Sequence, residues 1–156
     1  MNKIILTAAV AAFSFSGAAL AATVTGNANV NIIPALSITE TTEIDFGNIA
    51  AVDGTCTMDA TGVLTGSGPN AADLNCTGSQ TPATFTISGE DGEVVDVSVT
   101  AGAAVGGVTF NPVIDGSTSP TLALGVAAVT VRGSIDLASA TVGDKNIAYT
   151  FTANYQ

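Results

Sequence analysis

The chain has 156 residues, of which 3 are Lys or Arg, 13 are Asp or Glu and none is His, so its net charge is −10 at pH 7. Three cations cannot form the basic surface that nucleic acid requires, and the lack of histidine excludes Ser-His and Cys-His catalytic pairs and imidazole metal ligands. With 47% hydrophobic and 10% charged residues, the chain also differs from disordered acidic polypeptides. This composition predicts a folded, secreted module that is not an enzyme.

The N-terminal 21 residues have the three regions of a secretory signal peptide. Lys3 supplies a positive charge, residues 4–15 are an apolar run, and residues 19–21 (Ala-Leu-Ala) match the pattern that signal peptidase cleaves. A membrane anchor is disfavoured because a bilayer-spanning helix needs about 20 apolar residues. We therefore expect cleavage before Ala22, export through the periplasm to the cell surface or beyond, and no membrane span in the mature chain.

The first mature segment, residues 22–34, has small apolar residues on one parity and uncharged polar residues on the other. Two interpretations remain open. The segment is either the first strand of its own sheet or a donor-strand arm that adds to the sheet of a neighbouring subunit. Pro34 separates it from residues 35–156 in both cases. The side chains that a donor strand would insert are Val24, Ala28, Val30 and Ile32.

Cys56 and Cys76 are the only cysteines of the chain. An even number of cysteines in an exported protein favours a disulfide, and loop-closure arguments give this one a contribution of about 3 kcal/mol. A redox or metal site would need a CxxC spacing or a histidine. We therefore expect a structural disulfide, with no metal and no other cofactor.

Alternation of apolar and polar residues with a period of two recurs through residues 35–156 and predicts β-strands. The clearest stripes are at 95–99, 129–137 and 147–155, with shorter ones at 44–46, 85–87, 108–110 and 122–124. Asp-Gly pairs and glycine-rich turns separate them. Many short strands rich in Thr and Val predict one all-β domain over residues 35–156, an antiparallel immunoglobulin-like β-sandwich.

The last stripe ends at Tyr155, the penultimate residue, and Gly143 lies 14 positions from the C terminus when Gln156 is counted as the first. This resembles the C-terminal signature of chaperone-usher pilins. The resemblance implies a pilin-like groove that a periplasmic chaperone occupies first and that the next subunit's N-terminal arm fills at an outer-membrane usher. The residues that it assigns to the groove-lining strand are Gly143, Ile147, Tyr149, Phe151, Ala153 and Tyr155.

A second resemblance covers nearly the whole mature chain. Residues 36–47 (LSITETTEIDFG) and the tyrosine-rich strand at 149–155 are similar to segments of a secreted bacterial β-domain family of unknown function related to spore coat protein U, some members of which are pilus subunits. Typical pilins place their first cysteine before a segment like Asp45-Phe46-Gly47, whereas both cysteines follow it here. The two resemblances together imply a divergent, archaic branch of chaperone-usher pilins.

No residue pattern indicates catalysis. The Asp-Gly pairs at 53, 91 and 115 lack the alternating ligand spacing of a calcium loop, and Glu90, Asp91 and Glu93 cluster at a turn rather than in a cleft. The sequence thus predicts a structural subunit of a fimbrial filament that assembles by donor-strand complementation with copies of itself or related subunits.

The alternative is a self-complete secreted β-sandwich that acts as a monomeric adhesion or binding module. Such a module is expected to expose aromatic side chains at its binding surface. The aromatic residues here fall instead in stripes typical of a core, which favours the filament subunit: Phe46, Phe85, Phe110, Tyr149 and Phe151.

Overall fold

The computed structural model describes residues 23–156, so the predicted signal peptide lies outside the described residues. The chain divides into two units, residues 1–31 and 32–156. Residues 23–31, the described part of the first unit, form no strand and are all exposed, including Val24 (96%) and Val30 (81%). All β-strands of the described chain belong to the second unit.

Eight strands form the second unit, and all their pairings are antiparallel. The described residues contain no α-helix, so the prediction of an all-β, antiparallel fold is confirmed. It follows that residues 23–156 include no helix suited to crossing a bilayer. The strands are β1 Ser37–Thr42, β2 Gly54–Met58, β3 Leu64–Ser67, β4 Ala83–Ser88, β5 Val95–Ala101, β6 Val108–Asp115, β7 Val126–Leu137 and β8 Tyr149–Tyr155.

Six strands form one sheet around β7, with the order β1-β4-β7-β2-β3 and with β6 also paired to β7. One edge of β7 pairs with β4 through residues 126–131 and with β2 through residues 133–137. The other edge pairs with β6 through residues 130–137. The second sheet contains β5 and β8, with Val95 opposite Tyr155 at one end. Apolar side chains of both sheets pack together, which makes the fold a β-sandwich.

The 12-residue strand β7 shows why alternation produces a buried strand in this sheet. Its inward side chains, such as Val129 and Val131, are buried, whereas Arg132 on the outer face forms an ion pair of 3.0 Å with Asp115 of β6. Gly133 takes an inward position where a Cβ atom would collide with the carbonyl oxygen of Asn111. The glycine therefore permits the close approach of β6 to β7.

The interior contains two main groups of buried side chains, named here the lower core and the upper core. The lower core surrounds the disulfide between Cys56 and Cys76, whose Cα atoms are 5.7 Å apart, and this bond confirms the prediction from sequence. The buried residues of the lower core are Cys56, Met58, Leu64, Leu74, Cys76, Val108, Phe110, Ile135 and Leu137. Those of the upper core are Ile87, Val95, Val97, Leu122 and Val129.

Two short segments that the alternation assigns to strands form only isolated bridges. At 44–46 the bridge joins Asp45 to Thr81, and the chain then turns as the Asp45 carboxylate accepts a hydrogen bond of 2.7 Å from the Gly47 amide. At 122–124 the predicted strand is wrong because Leu124 and Gly125 have φ values of 54° and 76°. Positive φ at two successive residues is the geometry of a type I′ turn, which reverses the chain into β7.

Candidate functional site

Five aromatic rings form a continuous chain of contacts through the sandwich. The ring of Phe46 contacts that of Phe110 at 5.8 Å between centroids, and Phe110 contacts Tyr149 at 5.3 Å. Tyr149 then meets Phe85 at 6.1 Å, and Phe85 stacks on Phe151 at 4.3 Å. These contacts attach β8 to the large sheet. They also place all five aromatic residues that the sequence assigns to the core inside the sandwich.

Strand β8 is nevertheless incompletely covered. Its inward side chains Tyr149, Phe151, Ala153 and Tyr155 are only half-buried, whereas Val95 on the paired strand β5 is fully buried. Within residues 23–156, β8 has no strand partner besides β5. One edge of β8 and one side of its inward face are therefore open.

Strand β1 is the corresponding edge of the large sheet. Within the described chain it pairs with β4 alone, and all six of its residues are exposed, including the apolar Ile38 (40%). The register of β1 on β4 shifts between Glu40 and Thr42. Such a bulge and a charged side chain are two of the devices that make an edge strand less receptive to pairing. Strand β8 has neither a charged residue nor a proline.

Two tyrosine side chains connect β8 with β1 and the residues before it. At the start of β8 the Tyr149 hydroxyl donates a hydrogen bond of 3.1 Å to the Glu40 carboxylate. At its end the Tyr155 hydroxyl donates to the Pro34 carbonyl at 3.0 Å and accepts from the Glu90 amide at 2.7 Å. Burial, and next the nearby Glu40 charge, raise the pKa of Tyr149. Side chains therefore bridge a gap across which the backbones do not pair.

A cavity of about 990 Å³ lies near the Tyr149 end of this gap and is named here the groove. Its walls are residues 43–51 and residues 140–149. Its floor consists of lower-core side chains that reach the cavity from β6 and β7, namely Val108, Phe110, Ile135 and Leu137. The groove is thus an opening onto the apolar interior.

The first wall of the groove, residues 43–51, is held by backbone contacts near the disulfide. The Ala50 amide donates a hydrogen bond of 2.8 Å to the Leu74 carbonyl, and the Asn75 side-chain amide donates one of 2.9 Å to the Asn48 carbonyl. Asn75 directly precedes Cys76, which the disulfide ties to Cys56 of β2. The disulfide therefore fixes the segment against which the wall is anchored.

The rim of the groove is acidic. Glu40, Glu43, Asp45 and Asp144 line it together with a single cation, Lys145. The Lys145 ammonium donates hydrogen bonds to the carbonyls of Val142 (3.3 Å) and Gly143 (3.0 Å). An acidic rim disfavours an acidic ligand and accepts an uncharged one.

The predicted groove residues occupy two regions. Gly143, Ile147 and Tyr149 line the groove, whereas Phe151, Ala153 and Tyr155 lie farther along β8 and pack against the upper core. Strand β8 begins at Tyr149, so Ile147 precedes it. Of the predicted donor residues, Val24, Ala28, Val30 and Ile32 are all exposed.

Sequence reasoning missed the floor of the groove and its first wall. The alternation of Ile44 and Phe46 was a usable signal, because both are half-buried against the lower core. Which strand edges stay open depends on strand order, and alternation alone does not determine that order.

Among residues 23–156, no three His, Cys, Asp or Glu side chains come together as a potential metal site. In comparisons with known proteins, the family profile described as "Domain of unknown function (DUF4402)" matches residues 36–155, from the residue before β1 to the end of β8. No curated protein and no solved structure matches the chain.

Proposed function

Since the chain belongs to the DUF4402 family, we propose that it is a structural, non-enzymatic subunit of a bacterial surface filament of the fimbrial or pilus type. In this proposal the family is related to spore coat protein U and to archaic chaperone-usher pilins. In this proposal the donor arm, residues 22–34 of one copy, adds through residues 22–33 as a strand to the open edge of β8 in the next copy. The observation that carries the proposal is the groove, an opening onto the lower core beside an unpaired strand edge.

The edge of β8 supports strand addition because it lacks protection. An unpaired edge strand presents a row of free N–H and C=O groups, and soluble proteins commonly block such edges with lysine, proline or a bulge. The seven residues of β8 include none of these, and their register with β5 is regular. An added strand would satisfy the backbone of β8 and cover its half-buried inward side chains.

The donor arm suits this edge in length, charge and pattern. Residues 23–33 in extended form reach about 36 Å, more than the roughly 23 Å of a seven-residue strand such as β8. The arm has no charged side chain, which is compatible with the acidic rim. Its apolar residues from Val24 to Ile32 alternate and are exposed, so they are available to a partner.

The same unprotected edge explains the proposed accessory partners. Before assembly, a periplasmic chaperone would cover β8 and prevent unspecific pairing, and an outer-membrane usher would exchange the chaperone for the next arm. The chain would reach that compartment by export and end at the cell surface. The confirmed disulfide fits passage through an oxidising compartment.

Removal of the donor arm tests the proposal. We expect the mature chain, residues 22–156, to form multimers that resist heat and detergent, as seen by electrophoresis and electron microscopy. The chain that begins at Pro34 should remain monomeric. If the shortened chain forms the same multimers, strand donation by this arm is wrong. If both chains stay monomeric with chaperone and usher present, the monomeric binding module becomes the better hypothesis.

Two single substitutions distinguish insertion of the apolar side chains of the arm from a contact in which either face of the arm could take part. Val30→Asp places a charge on the apolar parity of the arm, whereas Asn29→Asp places the same charge on the polar parity. We expect Val30→Asp to lower the multimer yield at least tenfold and Asn29→Asp to change it by less than about twofold, because burial of an unpaired carboxylate is costly. Equal losses would contradict the alternating insertion of the arm.

A further inference from the structure

Two apolar side chains of residues 34–156 are almost completely exposed. Leu124 is 90% exposed and Val142 is 86% exposed, whereas the next most exposed large apolar residue of this region is Val126 at 47%. Neither side chain belongs to the donor arm or to a strand. Single exposed apolar residues are common on protein surfaces, so exposure alone indicates no function.

The backbone at Leu124 supplies a second observation. Leu124 and Gly125 are the central residues of the type I′ turn between Ala123 and Val126, which a hydrogen bond of 3.2 Å closes. Such turns favour Asn-Gly, because asparagine tolerates positive φ and is soluble at an exposed tip. Leucine rarely adopts positive φ and is apolar, so it is poorly suited to this exposed position. A residue that violates local preferences without a compensating contact in the monomer is a candidate for a contact elsewhere.

The two residues lie at opposite ends of β7. Leu124 comes two residues before the strand begins and Val142 five residues after it ends, and a 12-residue strand is about 40 Å long. The Leu124 end is also where β1 begins, because Ser37 pairs with Ser88 and Ser88 pairs with Val126. Val142 lies on the wall of the groove. One residue is therefore near the root of the donor arm, and the other is at the site proposed to receive an arm.

The apolar residues of the arm indicate how it would lie in the groove. Two successive large ones, Val30 and Ile32, are near its root, whereas the smaller Gly26 and Ala28 are in its middle and a single large one, Val24, is near its N terminus. The groove, about 990 Å³, is at the Tyr149 end of β8 beside Val142. Placing the Val30 and Ile32 side chains in the groove puts the root of the arm beside Val142 of the recipient. The Leu124 end of the donor then faces the same region.

We propose that Leu124 of one copy packs against Val142 of the next copy and forms a second contact at each subunit junction. This inference rests on the proposed strand donation and adds a domain-to-domain contact to it. Patches at opposite ends of one molecule form a heterologous interface, which extends into a linear filament when the rotation between copies does not close a ring. Burial of both side chains would limit the bending of the domains about the arm.

Cysteine cross-linking between two different chains tests the contact. A mature chain with Leu124→Cys is mixed with one carrying Val142→Cys, allowed to assemble, and oxidised mildly. The control replaces the second chain with one carrying Val113→Cys, since Val113 is 45% exposed but lies within β6, away from both ends. We expect at least tenfold more cross-linked dimer from the 124–142 mixture than from the 124–113 mixture.

The outcomes separate this inference from the proposed function. Multimers that form normally but give equal cross-linking in both mixtures would overturn the Leu124–Val142 contact and leave strand donation intact. Absence of multimers from the unmodified mature chain, with chaperone and usher present, would overturn strand donation and this contact with it. Preferential 124–142 cross-linking that requires residues 22–33 supports both.

Leu124→Asn provides a test without added cysteines. Asparagine suits the αL position, so the Tm of the monomeric mature chain should rise by about 2–4 °C. The same change removes the apolar contact, so dissociation of multimers in detergent should become about tenfold faster. A monomer that is stabilised while the multimers dissociate at the original rate would overturn the inference. Val113→Asn serves as the control and should leave the dissociation rate unchanged.

Discussion

Strands β7 and β8 have the same alternation of apolar and polar residues but differ in how they are buried. The inward positions of β7 from Val129 to Leu137 are buried, because the strand has neighbours on both edges. The inward positions of β8 are half-buried, because β5 is its only strand partner in the described chain. Strand β5 also has a single strand partner, but its Val95 and Val97 amides donate hydrogen bonds to the carbonyls of Pro120 and Thr118 on its other edge, and both side chains are buried. Alternation therefore identifies the inward face of a strand, whereas cover along both edges determines how far that face is removed from water.

Truncation of one inward side chain in each strand tests this difference most directly. Ile135→Ala in β7 should lower the free energy of unfolding by about 3 kcal/mol, because Ile135 is 8% exposed and its removal leaves a cavity. Phe151→Ala in β8 should cost the monomer about 1.5 kcal/mol despite the larger side chain, because Phe151 is already in partial contact with water. Urea denaturation of the monomeric chain measures both values.

The stability of multimers provides a second test of the difference between β7 and β8. If a donated strand covers β8, Phe151→Ala should weaken multimers more than it weakens the monomer. Val131→Ala in β7 should affect both forms alike, because Val131 is already fully buried and does not line the groove. A larger loss for Phe151→Ala than for Ile135→Ala in the monomer would show that β8 is as well covered as β7.

Loss of the disulfide should lower the free energy of unfolding about as much as Ile135→Ala does. It should also loosen the segment that anchors the first wall of the groove. The double variant Cys56→Ala/Cys76→Ala should lose about 3 kcal/mol of unfolding free energy. Without the cross-link between residues 56 and 76, the unfolded chain has more conformational entropy. Chemical reduction of the wild-type chain is the matched control and should give the same loss. A change below about 1 kcal/mol in both samples would contradict this prediction.

The smallest expected effect concerns Tyr149 at the boundary between the covered and open regions. Its pKa is raised in the folded state, so the unfolded chain releases this proton first as the pH rises. The contribution of Tyr149 is therefore fully present below about pH 10, the usual tyrosine pKa, and declines above it. Tyr149→Phe should flatten the fall in Tm above pH 10.

Glu40→Gln is the control for this pH dependence. It removes the negative charge beside Tyr149 while keeping a hydrogen-bond acceptor, so it should flatten the curve only in part. An unchanged alkaline slope in Tyr149→Phe would show that other groups control the loss of stability.

The strands that sequence reasoning located best are those with long stripes. β5, the main part of β7, and β8 follow from alternating Val, Ile, Phe and Tyr, because each inward position packs against a core cluster. β2 and β3 were not predicted, because Gly54 and Gly66 in these short strands look like turn residues. Pairing with β7 and with each other stabilises the two strands despite their glycines.

The groove could be predicted only in part, for a topological reason. The C-terminal stripe indicates which residues face inward on β8. It does not indicate that β1 pairs with β4 rather than with β8, because pairing between strands distant in sequence leaves no local pattern. The Leu122–Leu124 segment was misassigned for a local reason, because leucine rarely adopts the αL conformation that the turn imposes on Leu124.

The positions of the two tyrosines have a practical consequence. The chain has no tryptophan, so its near-ultraviolet emission comes from Tyr149 and Tyr155, which mark the first and last residues of β8. One phenol contacts a carboxylate and the other a backbone carbonyl, and both are only partly shielded from water. Any molecule that covers this strand would change the intrinsic fluorescence of both tyrosines. The unmodified protein thus has a natural optical reporter at each end of the strand.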